Sequence, residues 1–207
     1  MRRPVREWLK TLFLRGPTVS ETATGMASVI PEYPWFGVVD GEEVQQGDIL
    51  EGCPVFLPPK DLAVGIKQEG TFIWKDQDLI VMSQSCDLVK GRTKIDDVLL
   101  CSVWNRSELK TGHLAQDAGM EEARRGQLPT FHVLAACEIE GFEREVRVVD
   151  FRRVYSLPVP FIRDRAAIAK RLRLLPPYRE HLSQSFARFF MRVGLPVDIP
   201  AFGKKKN

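Results

Sequence analysis

The sequence predicts a mainly β (α+β) domain, a small barrel or sandwich, with carboxy-terminal helices packed on it. Three observations carry this. Between Val44 and Val154, short apolar runs are separated by turn residues. Asp97 to Trp104 (DVLLCSVW) is apolar on both faces, as a central strand should be. From Pro160 onward the apolar spacing becomes helical.

Taken in order, Arg6 to Leu14 has helical spacing and stops at Gly16-Pro17. Thr18 to Pro34 is rich in Ser, Thr, Gly and Pro and reads as a linker. A new unit starts near Val44: Gly47-Asp48 turns into Ile49, and Cys53 to Leu57 reads as a strand closed by Pro58-Pro59. Leu62 to Ile66, Thr71 to Trp74 and Leu79 to Ser83 follow as short strand segments, ahead of the central strand. Gln116 to Gly126 suits a helix, because its charged run ends at a glycine. Thr130 to Ala135 and Glu145 to Val154 are two further strands, joined by an acidic turn centred on Gly141.

The carboxy-terminal segment reads as two helices, Phe161 to Leu174 and Tyr178 to Val193, the second opened by Pro176-Pro177. On the second, Leu182, Phe186, Phe189, Phe190 and Val193 form one apolar face, and His181, Gln184, Arg188 and Arg192 a polar stripe opposite. The expected organisation is a helix and flexible arm over residues 1–43, a β-domain over 44–157, and a helical segment with a basic tail over 158–207.

The net charge of +3 conceals an asymmetry: residues 1–15 sum to +4, 161–207 to +8, and the middle to −9. An acidic centre disfavours a polyanion there unless its few cations gather in one groove. No apolar run approaches the roughly 20 residues of a spanning helix, and Trp8 to Leu14 is too short and too interrupted by Lys10 for a secretory signal. The expectation is a cytoplasmic protein with no membrane partner. The four cysteines show no C-x-x-C pair, so reduced thiols are expected and neither a disulfide framework nor a zinc ribbon. No cofactor motif is present.

The stretch closest to chemistry is Asp78 to Leu88 (DLIVMSQSCDL), where a buried-looking run delivers Ser83, Gln84, Ser85, Cys86 and Asp87 at its end. A thiolate nucleophile would need Cys86 beside a base, for which His132 is the available histidine on a later strand. Asp87 opposes this, since a neighbouring negative charge raises a thiol pKa. The competing reading is a small residue packed at a strand end, with Asp87 and the serines making turn hydrogen bonds. Cys86, Cys101, Cys137, His113, His132 and Asp87 include metal-ligand types but lack ligand spacing, so no metal site is expected. Metal-free RNA cleavage would need a base, an acid and a cation, types supplied by Asp87, His132, Arg92 and Lys94. Lys90, Arg92 and Lys94 cluster after the stretch, as a groove or as a solvated turn.

Gly47-Asp48-Ile49 opening a strand, Leu79 to Ser83 ending in a serine, and the central strand after it resemble the layout of PemK/MazF-type toxins over about residues 44–155. That resemblance implies an SH3-like barrel and metal-independent cleavage of single-stranded RNA. Where the family places Arg-Pro ahead of the second motif, this chain has Asp76-Gln77-Asp78, and Arg92 and Thr93 are the nearest stand-ins for the catalytic arginine and its hydroxyl partner. The Ser-Gln-Ser-Cys-Asp run and PYREHLSQSFARFFMRVGLP also resemble uncharacterised bacterial proteins associated with antiphage defence clusters.

Three functions follow as expectations. The first is a non-catalytic binding or accessory module of a bacterial defence or toxin-antitoxin system, with a protein partner. The second is a metal-independent endoribonuclease, with RNA as substrate. The third is a cysteine-dependent hydrolase. The expected catalytic set is Cys86, Asp87, His132 and Arg92; the expected binding set is Ser83, Gln84, Ser85, Lys90, Lys94, Arg188 and Arg192.

Overall fold

Two adjacent strands, Asp97–Asn105 and the first half of Arg147–Pro158, are buried on both faces and make the centre of the fold. The structure is a computed structural model describing residues 33–57 and 73–191. The strands are β1 (Phe36–Val39), β2 (Ile49–Leu57), β3 (Ile73–Val81), β4 (Asp97–Asn105), β5 (Phe131–Leu134), β6 (Arg147–Pro158) and β7 (Arg171–Leu174). The helices are α1 (Asp117–Arg124), α2 (Val159–Ile168) and α3 (Tyr178–Phe190). The fold is mixed α+β, mainly strands.

Strands β2, β3, β4, β6 and β5, in that order, form one five-stranded antiparallel sheet, and β1 pairs with β7 in a second sheet of two. Strand β4 is therefore central, as its two apolar faces predict. On one face Ile80, Cys101, Val103, Val149 and Phe151 pack with Phe36, Leu172 and Leu174 of the small sheet and Leu182 of α3. On the other, Leu79, Val81, Val98 and Leu100 pack with Val159, Ile162 and Ala166 of α2. Farther along that second face Val148 packs with Met120 and Ala123 of α1.

The expected barrel does not close. Among the described residues β2 and β5 are edges with one neighbour each. A barrel turns one face of its sheet inward to pack against itself. Here the β1/β7 pair with α3 takes one face, and α2 with α1 takes the other, so no face is left to curl around.

A second correction concerns Phe161 to Leu174. Helix α2 ends at Ile168, and Arg171–Leu174 is a strand paired with β1. Its Arg-Leu-Arg-Leu alternation has period two, which sends Leu172 and Leu174 into the core while Arg171 and Arg173 reach Asp48. Phe36–Val39, in the stretch expected to be an arm, is its partner strand. Of the segments expected at Thr71 to Trp74 and Leu79 to Ser83, Ile73-Trp74 and Leu79 to Val81 fall on the single strand β3, Met82-Ser83 follow its end, and Thr71-Phe72 lie outside the described residues. The amino-terminal helix and Leu62 to Ile66 lie outside the described residues, as does the basic tail.

Gly47-Asp48-Ile49 ties these layers together. Gly47 has φ +87, and a Cβ there would stand 3.1 Å from both the Cβ and the carbonyl oxygen of Leu174. Its N–H donates to the Val81 carbonyl and its own carbonyl accepts from Leu174 N–H, each at 2.9 Å. Asp48 is wholly buried and accepts from Arg171 Nε and Arg173 Nη2, both at 2.9 Å.

Candidate functional site

The run from Ser83 to Asp87 is occupied mainly with holding itself in place. Leu99 N–H donates to Ser83 Oγ at 2.9 Å, and Gln46 N–H donates to Ser85 Oγ at 3.1 Å. Gln46 Nε2 also donates to the Met82 carbonyl at 2.8 Å. Ser85–Asp87 forms a short 3-10 turn closed by Asp87 N–H to the Gln84 carbonyl. Lys94 Nζ donates to Asp87 Oδ1 at 3.1 Å, and the Cys86 thiol donates to the same oxygen at 3.6 Å.

The basic cluster that follows is also partnered. Lys90 pairs with Glu42 and Lys94 with Asp87. Thr93 Oγ1 accepts from Arg163 Nη2 of α2 at 2.8 Å, and the same nitrogen donates to the Leu88 carbonyl. Arg92 is exposed and its side chain has no hydrogen bond or ion pair among the described residues. Lys90, Arg92 and Lys94 thus sit on a braced surface turn.

Cys86 and His132 line different grooves. Cys86 is exposed and borders a shallow groove with Gln46, Gln84, Ser85, Arg179 and Ser183. His132, on β5, borders a groove of about 330 Å³ between α1, β5 and α3. Gln184 of α3 borders both, so the helix runs between them.

The second groove is where separated parts of the sequence converge. The polar stripe of α3 supplies His181, Gln184 and Arg188; the end of α1 supplies Arg124 and Arg125; β5 supplies His132. The amphipathic spacing of α3 explains this, since Leu182 is fully buried and Phe186 and Phe189 pack on the core, turning the stripe outward. Arg192 lies outside the described residues.

Among the described residues no carboxylate lines this groove. Arg124 and Arg125 both bond Glu121 of their own helix, while Arg188 makes no side-chain hydrogen bond or ion pair among the described residues. Burial against neighbours such as Phe151 holds the His132 imidazole down to about 4, and His181 pushes the same way. His132 is therefore neutral at pH 7, and the groove's charge comes from its arginines.

A larger cavity lined by Trp104, Phe131, Arg152 and Arg153 had no signal in spacing, because a bulge in β6 creates it. Among the described residues no group of three or more His, Cys, Asp or Glu is arranged to hold a metal ion, and no helix is long and apolar enough to cross a membrane. Comparison of the chain with family models, with curated proteins and with solved structures finds no match.

Proposed function

We propose that the protein is a non-catalytic binding module that takes an anionic partner in the groove between α1, β5 and α3. The observation that carries this is the lining of Arg124, Arg125 and Arg188 around two histidines, with no carboxylate in the lining among the described residues and one, Glu121, shared by the first two arginines behind it. Cations in a concave site attract an anion more strongly than the same cations on a flat surface. The toxin-like motifs suggest an accessory role in a bacterial defence or toxin-type system, with those motifs carried on an open sheet and without the family's catalytic arginine.

Two observations weigh against the endoribonuclease reading. Asp87 and Arg92 lie on the braced turn, away from the lining of the His132 groove. A general base works best with a pKa near the operating pH, and an imidazole held to about 4 is a weak base at neutrality.

The test is titration of the full chain with a short polyphosphate, alongside incubation with labelled single-stranded RNA. Saturable polyphosphate binding, weakened at least several-fold in Arg188→Glu, with the RNA left intact, is the expected result. Polyphosphate binding that Arg188→Glu leaves unchanged removes this groove as the site. RNA cleavage abolished by His132→Gln replaces the reading with a metal-independent endoribonuclease.

A further inference from the structure

On the α1 side of the large sheet lies a cavity of about 520 Å³, bordered by Trp104, Phe131, Lys110, Arg152 and Arg153. That volume falls within the roughly 300–1,000 Å³ typical of small-molecule sites. Its construction follows from the sheet. Trp104 is on β4 opposite Val148, and Phe131 is on β5 opposite Asp150, so both rings rise from one face. Between Cys101 and Ser102 the pairing with β6 jumps from Val154 to Asp150, leaving Phe151, Arg152 and Arg153 outside the regular register. Such bulges re-aim side chains and recur beside binding sites.

Cations stand over both rings of this cavity, Lys75 from outside its lining. Lys75 Nζ stands 4.9 Å and Arg153 Cζ 5.5 Å from the Trp104 ring centroid, and Arg152 Cζ stands 4.6 Å from that of Phe131. Cation–π contacts of this kind occur about once per 70–80 residues. Three on two neighbouring rings is a local concentration.

The two arginines are held differently. Arg152 grips the buried Asp150 carboxylate through two bonds of 2.9 Å, which fixes its guanidinium. Arg153 reaches that carboxylate only at 4.0 Å and its side chain is 55% exposed, so it can leave the Trp104 ring. Lys110 is exposed, and its ammonium has no partner among the described residues. Glu108, the other carboxylate of the lining, accepts from Asn105 N–H at 2.7 Å.

A ligand suited to these walls offers a flat ring for the indole that Arg153 uncovers and an anion for Lys110 and the released Arg153. We propose that this cavity binds a nucleoside phosphate, its base stacked on Trp104 and its phosphate held by Lys110, Arg152 and Arg153. The ring surface explains the base, and the ammonium of Lys110 and the loosely held guanidinium of Arg153, lining the same cavity, explain the phosphate. The site meets the anion groove at Phe131 but has its own cations, and it stands whether or not that groove binds a partner.

The test is calorimetric titration of the full chain with adenosine and uridine monophosphates, with the parent nucleosides and inorganic phosphate as controls. Saturable one-to-one binding of a monophosphate is expected, weaker for the nucleoside and for phosphate alone. Trp104→Leu should weaken it about 5- to 150-fold, the usual effect of losing one base stack. Arg153→Glu, an exposed change that keeps the fold even if Trp104→Leu does not, should weaken it at least several-fold. Arg92→Ala should leave it unchanged. Absence of saturable binding at millimolar nucleotide overturns the proposal. So does equal binding of inorganic phosphate or of the nucleoside, or a folded Trp104→Leu protein that binds as the parent does.

Discussion

Asp48 Oδ2 accepts a hydrogen bond from Arg171 Nε at 2.9 Å, across a sequence separation of 123. Arg173 bridges both oxygens of the same carboxylate, and Asp48 and Arg171 are buried while Arg173 remains 14% exposed at the edge of the cluster. Removing one member of a buried charge cluster leaves the others desolvated and uncompensated, at a cost of about 3–5 kcal/mol. Asp48→Ala should lose stability of that order in urea unfolding. Arg171→Ala in the same background should add much less than it does alone, because the two changes break one network. Fully additive losses would show that the pair is not coupled.

The same cluster marks how far the sequence could be read. Strand β4 was legible because DVLLCSVW is apolar at both parities, which only a strand covered on two faces requires. Helix α3 was legible from the spacing of Leu182, Phe186 and Phe189. Strand β7 was not, because Arg171 and Arg173 read as solvated helix positions until Asp48, far away in the chain, supplies the buried partner. Barrel closure was illegible for a related reason. Short strands with turns describe an open sheet equally well, and the outcome depends on which faces the helices and the small sheet cover. For the site, the stripe of His181, Gln184 and Arg188 was visible, but its meeting with His132 depends on how α3 docks against β5.

Cys86 gives a direct measure of whether the Ser-Gln-Ser-Cys-Asp run is chemical or structural. It is exposed, whereas Cys53, Cys101 and Cys137 are buried. Burial pushes the Cys101 thiol up to about 12 and also raises Cys53, which disfavours their thiolates. A thiol reagent should label one cysteine in the folded protein at the rate of an ordinary exposed thiol, and the other three only on unfolding. Cys86→Ser should change stability by no more than about 0.5 kcal/mol. Labelling of Cys86 much faster than a free thiol at pH 7 would restore the cysteine-nucleophile reading.

His132 should make stability depend on pH in a defined window. Its imidazole is lowered from an ordinary 6.5 to about 4 in the fold, so the unfolded chain takes up a proton first as pH falls. Stability is therefore full above 6.5, declines as pH drops toward 4, and levels off below that. The groups around it are His181 and Arg188 of α3 and Arg124 and Arg125 of α1, none of which offers a compensating negative charge. The loss between pH 7 and 5 should reach up to about 2 kcal/mol. Urea midpoints at those two pH values, compared between the parent and His132→Gln, isolate this contribution from carboxylates common to both. An equal pH response in the two proteins would contradict it.

Arg147 presents the opposite balance to Asp48. Its side chain is fully buried, lying 5.9 Å from the Phe36 ring centroid, and only Nη1 finds a carboxylate, Glu51 Oε1 at 3.1 Å. Among the described residues Nε and Nη2 have no hydrogen-bond partner, and burial pushes the guanidinium pKa down. Glu51 does not depend on it, since Arg144 holds both of its oxygens at 2.7 and 2.6 Å. Arg147→Met keeps most of the buried length, removes two unpaired donors and leaves Glu51 paired. The expected result is stability unchanged or raised by about 1–2 kcal/mol, since apolar replacement of a poorly satisfied buried charge is often neutral or favourable. Arg144→Met, by contrast, leaves the buried guanidinium as the only arginine on the Glu51 carboxylate among the described residues and should destabilise. If Arg147→Met instead costs more than about 2 kcal/mol, the orphaned nitrogens are satisfied in solution, and the guanidinium is a structural element of the kind that Asp48 represents.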